Sequence, residues 1–156
     1  MSGGELEQAL LEAARLEPGD DVLVLGDGAL VFGAHDRVGD GWVYAVRSHV
    51  DELEELLGDA HAAGASGVAY LVGEAPVLPL PDASVAAVLG RVAVDEGALG
   101  AAAEELARVL AAGGRVALAE AERVSGEAVA EALGAAGFAA VTLAVVGDEV
   151  VVAARR

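Results

Sequence analysis

The chain contains no cysteine, which excludes disulfides, thiol catalysis and cysteine-ligated metal sites. It also contains no lysine, and all nine of its basic residues are arginine. No apolar run reaches the roughly 18 residues that a membrane-spanning helix needs. The first residues, MSGGELEQ, have neither the basic region nor the apolar segment of a signal peptide. Together these features predict a cytoplasmic protein that does not enter a membrane.

The remaining composition is that of one folded and strongly acidic domain. Hydrophobic residues make up 55% of the chain, which is too apolar for a disordered polypeptide. A length of 156 residues fits a single domain, and we place its limits at 1–156. The formal net charge of −17 repels phosphate backbones, so we expect no binding to nucleic acid.

Residues that commonly bind metals or act as nucleophiles are scarce. No serine or threonine stands with a histidine in a nucleophile motif, so the catalytic residues stay unassigned. We expect no bound metal either, because the three histidines form neither an H-x-x-x-H pair nor the spacing of a metal triad: His35, His49 and His61.

Short apolar runs alternate with amphipathic segments along the chain. This alternation predicts an α/β domain in which a mostly parallel sheet has helices on both faces. Helical spacing predicts helices at 3–16, 48–63, from Asp95 to the Gly113-Gly114 pair, and from Ser125 to Gly137, with a short one at 30–34. Strands are predicted at 22–25, 42–46, 68–72, 85–89 and 115–119, followed by a hairpin of 138–146 and 149–154.

Capping and turn residues mark several of these boundaries. Ser48, with Asp51 three residues later, is arranged in the manner of a capping box, and Ser125 begins a later helix. Asp95 is predicted to cap the long helix before the fifth strand. Gly147-Asp148 suits a type II′ hairpin turn, because its first position requires a positive φ that glycine adopts easily.

From about residue 16 onwards, the order and spacing of several stretches resemble class I S-adenosylmethionine-dependent methyltransferases. LEPGDDVLVLGDG resembles the family's first motif, a Pro-Gly turn and a strand ending in G-x-G. GWVYAVRSHVDELEELLGDAHAAG resembles the second strand and its helix, and VAYLVGEAPVLPLPDASVAAVLG resembles the next two strands. AAAEELARVLAAGGRVALAE and LGAAGFAAVTLAVVGDEVVVAAR resemble the fifth strand with its helix and the closing hairpin. The resemblance implies a three-layer Rossmann-like fold with strand order 3-2-1-4-5-7-6, in which strand 7 is antiparallel.

The resemblance also implies a site for S-adenosylmethionine at the carboxyl edge of the sheet, where ligands of such folds bind. Gly26 and Gly28 match the glycines that let the backbone approach the cofactor. Asp27 offers a carboxylate to the cofactor's ammonium group. Glu74 matches the acid after strand 3 that typically meets the adenine amino group, and Leu89 ends the fourth strand at the same edge.

Four other positions depart from the family's pattern. Val24 stands where the first strand usually carries an acid, and valine accepts no hydrogen bond. Arg47 stands where an acid usually accepts both ribose hydroxyls, and arginine has only donors. Leu30 replaces the third glycine and narrows the pocket, and Ala86 replaces a frequent acid of the fourth strand. Of the usual acidic positions, only Glu74 keeps its acid.

Three functions remain open on the sequence. The first is a small-molecule methyltransferase with a degenerate cofactor site, for which Asp95 and Glu96 in GRVAVDEG are candidate bases. The second is a non-catalytic, methyltransferase-like partner or regulatory subunit, favoured by the lost acids and by the absence of an insertion that could form a substrate lid. The third is a binder of an NADP-type nucleotide, because an arginine after strand 2 accommodates a 2′-phosphate in many such sites.

The departures and the apolar composition lead to three expectations. Binding of S-adenosylmethionine is weak or absent, because acceptors are lost at Val24 and Arg47. Arg47 and Glu74, which follow neighbouring strands, form an ion pair across the adenosine pocket. An apolar surface at the strand ends promotes formation of a homo-oligomer or binding of a protein partner.

Overall fold

The computed structural model describes residues 3–25, 28–47, 67–73, 77–92, 94–120 and 124–156. Helices and strands alternate along these ranges. The helices are α1 (Gly3–Ala13), α2 (Gly28–Val38), α3 (Leu99–Val109) and α4 (Gly126–Ala135), with a 3-10 helix at Glu96–Ala98. The strands are β1 (Val22–Leu25), β2 (Val43–Arg47), β3 (Val68–Val72), β4 (Val85–Arg91), β5 (Leu110–Ala119), β6 (Ala139–Val146) and β7 (Glu149–Arg155).

The strands form a seven-stranded sheet in the order β3-β2-β1-β4-β5-β7-β6. Strands β1 to β5 pair in parallel, whereas β7 is antiparallel to both β5 and β6. The strand order and the antiparallel β7 predicted from the sequence are therefore confirmed. The carboxyl ends of the parallel strands share one edge, where Leu25 pairs with Gly90 and Arg47 pairs with Val72.

Helices cover both faces of the sheet, and β1 shows why its sequence is apolar throughout. Side chains of a strand alternate between the two faces. Val22 and Val24 belong to the core that includes α1 and α2, whereas Leu23 and Leu25 belong to the core that includes α3 and α4. All four side chains are buried, as expected for a strand with a helical layer on each side.

Helix α2 is longer than the short helix predicted at 30–34, and one of its glycines lies against α1. Gly33 lies inside α2, and a Cβ atom added to it would stand 2.7 Å from Cδ1 of Leu11 in α1. Gly33 therefore permits the two helices to pack closely. The helix continues to Val38, with Leu30, Val31 and Val38 buried in the core.

The boundaries of α3 also differ from the prediction. The predicted helix cap at Asp95 is wrong, because the 3-10 helix intervenes and the N–H of Ala98 donates to the Asp95 carbonyl at 2.9 Å. Ala98 is the N-cap of α3 and makes no side-chain cap. At its other end α3 gives way to β5 at Leu110, which already pairs with Val85, so the Gly113-Gly114 pair lies within the strand.

Two predicted boundaries are confirmed. The Oγ of Ser125 accepts a hydrogen bond from the N–H of Ala128 at 3.2 Å and so caps α4. Gly147 has a φ of +61°, as a glycine-first turn between β6 and β7 requires. The helix predicted at 48–63, with Ser48 as its cap, lies outside the described residues.

Candidate functional site

The candidate site lies at the carboxyl edge of the sheet, between β1 and β4. Strand β1 has β2 on one side and β4 on the other. The helix after β1, which is α2, packs on one face of the sheet, and α3 after β4 packs on the opposite face. A crevice opens where consecutive connections diverge in this way, and ligands of α/β sheets bind there.

The ends of β1 and β4 meet through backbone alone at this point. Gly90 pairs with Leu25 and has a φ of +133°, a conformation that side chains rarely permit. A Cβ atom on Gly90 would lie 2.0 Å from the carbonyl oxygen of Leu25. Glycine is therefore the only residue that this geometry accepts.

The structure brings part of the predicted cofactor site to this edge. Gly28 begins α2 directly beyond β1, and Arg47 is the last residue of β2. Leu89 is fully buried, and its side chain belongs to the core beneath α1 and α2. A cofactor contact at Leu89 would therefore use its backbone. Three predicted site residues, Gly26, Asp27 and Glu74, lie outside the described part of the chain. The predicted Arg47–Glu74 ion pair lies outside it as well.

The positions that depart from the family's pattern have separate structural roles. Val24 is fully buried and Leu30 is 3% exposed, and both side chains belong to the same core. Ala86 lies at the amino end of β4, where its N–H donates to the carbonyl of Asp21 at 2.7 Å. The missing acid at Ala86 is therefore far from the carboxyl edge of the sheet. Val24, in contrast, is the last residue but one of β1 and lies close to that edge.

A charged network at the ends of β4 and β5 was missed from the sequence. Arg91 ends β4, forms an ion pair with Glu149 at 2.6 Å and donates to the backbone carbonyl of Glu120. The Glu120 carboxylate accepts the N–H groups of Val150 at 2.9 Å and Gly126 at 3.1 Å. The network holds β7 and α4 against the end of β5. Its only signal in the sequence is that polar residues follow two neighbouring strands.

The candidate bases lie beyond the same end of β4. Asp95 is exposed and contributes its carbonyl to the 3-10 helix, and Glu96 is the first residue of that helix. Their catalytic role stays a prediction. Among the residues that the structure describes, no group of histidine and carboxylate side chains is arranged to hold a metal ion.

A second charged cluster anchors the proline-rich loop after β3 to α3. Glu105 accepts the N–H of Leu78 at 2.6 Å and pairs with Arg108 at 2.6 Å, and Arg108 also reaches Asp82 at 2.8 Å. The hydrogen bond from Arg108 holds the pKa of Glu105 below its ordinary value, and burial opposes this shift. These groups hold the loop in place and lie on α3, away from the ends of β1 and β2.

The strand order, the two helical layers and the position of the switch point are those of the class I S-adenosylmethionine-dependent methyltransferase fold. A SAM-dependent methyltransferase from Aquifex aeolicus is 25% identical, with a TM-score of 0.78 over 99% of this chain and 93% of that chain. A complex between the Haloferax volcanii Trm112 methyltransferase activator and a methyltransferase provides a match of 20% identity and TM-score 0.78, over 97% of this chain and 88% of that chain.

The [4+2]-cyclase SpnF has a TM-score of 0.81 at 17% identity, over 97% of this chain and 79% of that chain. A fold shared by proteins with these different names does not by itself define a reaction. No family model matches the chain, and no curated protein matches it. In the described segments, no helix has both the length and the apolar character needed to cross a membrane.

Proposed function

We propose that the chain is a methyltransferase-like protein that binds S-adenosylmethionine weakly at the carboxyl edge of β1, β2 and β4 and acts on a small molecule. The fold supports the cofactor class, and the backbone contact of Gly90 with Leu25 supports the position of the site. When bound, the cofactor supplies a methyl group on a sulfonium. The protein then has mainly to hold an acceptor in line with that group.

The observation that carries the proposal is the position of Arg47 as the last residue of β2, at the edge shared with Leu25 and Gly90. In the family that this chain resembles, the corresponding residue accepts the ribose hydroxyls. A guanidinium only donates, and the buried Val24 offers no acceptor either. Each lost hydrogen bond costs about 1.5–3 kcal/mol, so both losses weaken binding by roughly 10² to 10⁴.

Calorimetric titration with S-adenosylmethionine, S-adenosylhomocysteine and NADPH tests the proposal. We expect measurable but weak binding of both sulfur-containing ligands and no binding of NADPH. Tighter binding of NADPH would support the dinucleotide site instead, with Arg47 as the residue that holds the 2′-phosphate.

A non-catalytic subunit is the second candidate function. The fold match to a complex that includes the Trm112 methyltransferase activator supports the protein partner of this candidate. Its lack of catalysis rests on the lost acceptors at Val24 and Arg47. The same titration separates the two candidates. Complete absence of binding by all three ligands, together with a stable complex recovered with a second protein, would favour the subunit.

A further inference from the structure

Strand β6 forms the outer edge of the sheet and is apolar except for Thr142. Its sequence, AAVTLAVV, contains no charged residue and no proline. Leu143 is 46% exposed and Val145 is 78% exposed. Edge strands that stay unpaired are usually protected by lysines, prolines or inward-pointing charges. Strand β6 has no lysine, proline or other charged residue, and its one irregularity is a bulge between Ala139 and Thr142.

The backbone groups of β6 that face outwards can be identified from β7. The Val150 carbonyl accepts the N–H of Glu120 at 3.1 Å, and the N–H of Val150 donates to the Glu120 carboxylate at 2.9 Å. Both groups of Val150 therefore point towards β5. Val145 is paired with Val150, so the N–H and carbonyl of Val145 point away from β7. Because backbone direction alternates along a strand, the same holds for Leu143.

Only one half of β6 is regular enough to receive another strand. Ala139 pairs with Arg155 but Thr142 pairs with Ala153, so an extra residue forms a bulge, and Ala140 there has a φ of +54°. Bulges bend a strand and disrupt its pairing. From Thr142 to Val146 the register is continuous. This segment ends at the Gly147 turn.

We propose that β6 pairs with β6 of a second copy of this chain, antiparallel about a two-fold axis through Ala144. In this register Leu143 of each copy exchanges both hydrogen bonds with Val145 of the other. A two-fold axis two residues closer to the N-terminus would include the bulge near Ala140 in the pairing. An axis two residues closer to the C-terminus would include the turn at Gly147. The proposed register uses the regular segment alone, and the proposal does not depend on cofactor binding.

The side chains of β6 and the charged residues that follow it favour a second copy as the occupant. Leu143 is directly opposite Val152, so it projects from the face that carries α3 and α4, as does Val145. Pairing places each Leu143 beside the other copy's Val145 and covers both. The antiparallel direction also places Asp148 of each copy at the end of the joined sheet that holds Arg155 of the other copy, whereas Glu149 is paired with Arg91 of its own chain.

The size of the contact sets its strength. A standard stable interface covers about 800 Å² on each partner, and a short strand pair with two apolar side chains covers less. We therefore expect a reversible dimer whose population rises with protein concentration. In an isologous pair both copies use the same edge strand. Because each sheet has only one β6, no edge remains for a third copy and the assembly stops at two copies.

Cysteine crosslinking tests the register, since the native chain contains no cysteine. Ala144→Cys places two thiols on the two-fold axis in a non-hydrogen-bonded pair, where Cα atoms lie about 4.5 Å apart and a disulfide can form. Thr142→Cys is the matched control, because it would lie opposite Val146 of the second copy. On oxidation we expect Ala144→Cys to form a covalent dimer and Thr142→Cys to form none.

Mass measurement over a range of concentrations tests the interface itself. We expect wild type to form a dimer, Val145→Lys to be monomeric, and Val77→Lys to behave as wild type, because Val77 is 75% exposed in the loop after β3. The proposal would be overturned if wild type stayed monomeric and Ala144→Cys formed no crosslink. It would also be overturned if Val145→Lys still formed the dimer. Equal crosslinking of both cysteine variants would also overturn the register. If Val145→Lys does not fold, the cysteine pair alone decides.

Discussion

Gly90 of β4 and Leu25 of β1 are paired at the switch point of the sheet, and their backbones meet with no room for a side chain between them. A Cβ atom on Gly90 would lie 2.0 Å from the Leu25 carbonyl oxygen, and the φ of Gly90 is +133°. Both the close approach and the conformation require glycine. The close approach of the two strand ends next to the candidate site therefore depends on glycine at position 90.

Replacement of Gly90 by alanine should destabilise the protein severely. The added methyl group meets a backbone atom, which cannot turn away as a side chain can, so we expect a loss of about 3 kcal/mol or more. Gly100→Ala is the control, because Gly100 lies in α3 with nothing within 4 Å of an added Cβ. That change should stabilise the protein by about 0.5–1 kcal/mol. Denaturant unfolding measures both, and equal midpoints for Gly90→Ala and wild type would contradict the geometry.

The Glu105–Arg108 pair should make stability depend on pH in the acid range. The lowered pKa of Glu105 means that its contribution is fully present above the unfolded pKa, about 4.3, and is lost as pH falls through the lower folded pKa. Glu105→Gln should therefore reduce the free energy of unfolding near neutral pH. The difference from wild type should shrink below about pH 4.3.

Thermal unfolding of wild type, Glu105→Gln and Glu104→Gln across this range checks the prediction. Glu104 is the control because it is exposed on the same helix and its replacement removes the same charge. A difference between wild type and Glu105→Gln that is as large at pH 3 as at pH 7 would show that the carboxylate is not responsible.

The sheet could be predicted from the sequence because its central strands, such as β1, are buried on both faces. VLVL in β1 has no polar residue, and such short runs between amphipathic segments have few alternative structures. Helix α2 was predicted too short, and the packing of its Gly33 depends on Leu11 of a different helix, which the local sequence does not show. The start of α3 was misplaced because aspartate commonly caps helices, whereas a 3-10 helix at Glu96–Ala98 lies between Asp95 and α3.

The sequence predicted where the candidate site lies better than it predicted which side chains interact there. Strand order determines which edge holds the switch point, so Arg47 and Leu89 were expected there. The Arg91–Glu149 ion pair could not be predicted, because it joins β4 to β7 and depends on the antiparallel return of the chain. The role of Ala86 was misjudged for a related reason: position along the strand decides which edge a residue occupies.

Binding of S-adenosylhomocysteine by Arg47 variants tests most directly the central claim that Arg47 weakens the cofactor site. Wild type, Arg47→Ala and Arg47→Asp are compared by calorimetry, with Arg37→Asp as the charge-matched control because Arg37 lies near the opposite end of α2 from the site. We predict that Arg47→Asp binds at least about tenfold more tightly than wild type, since it restores a ribose acceptor. Arg47→Ala should fall between them, and Arg37→Asp should match wild type. A low-micromolar dissociation constant for wild type, or an Arg47→Asp variant that binds no better than wild type, would contradict the claim.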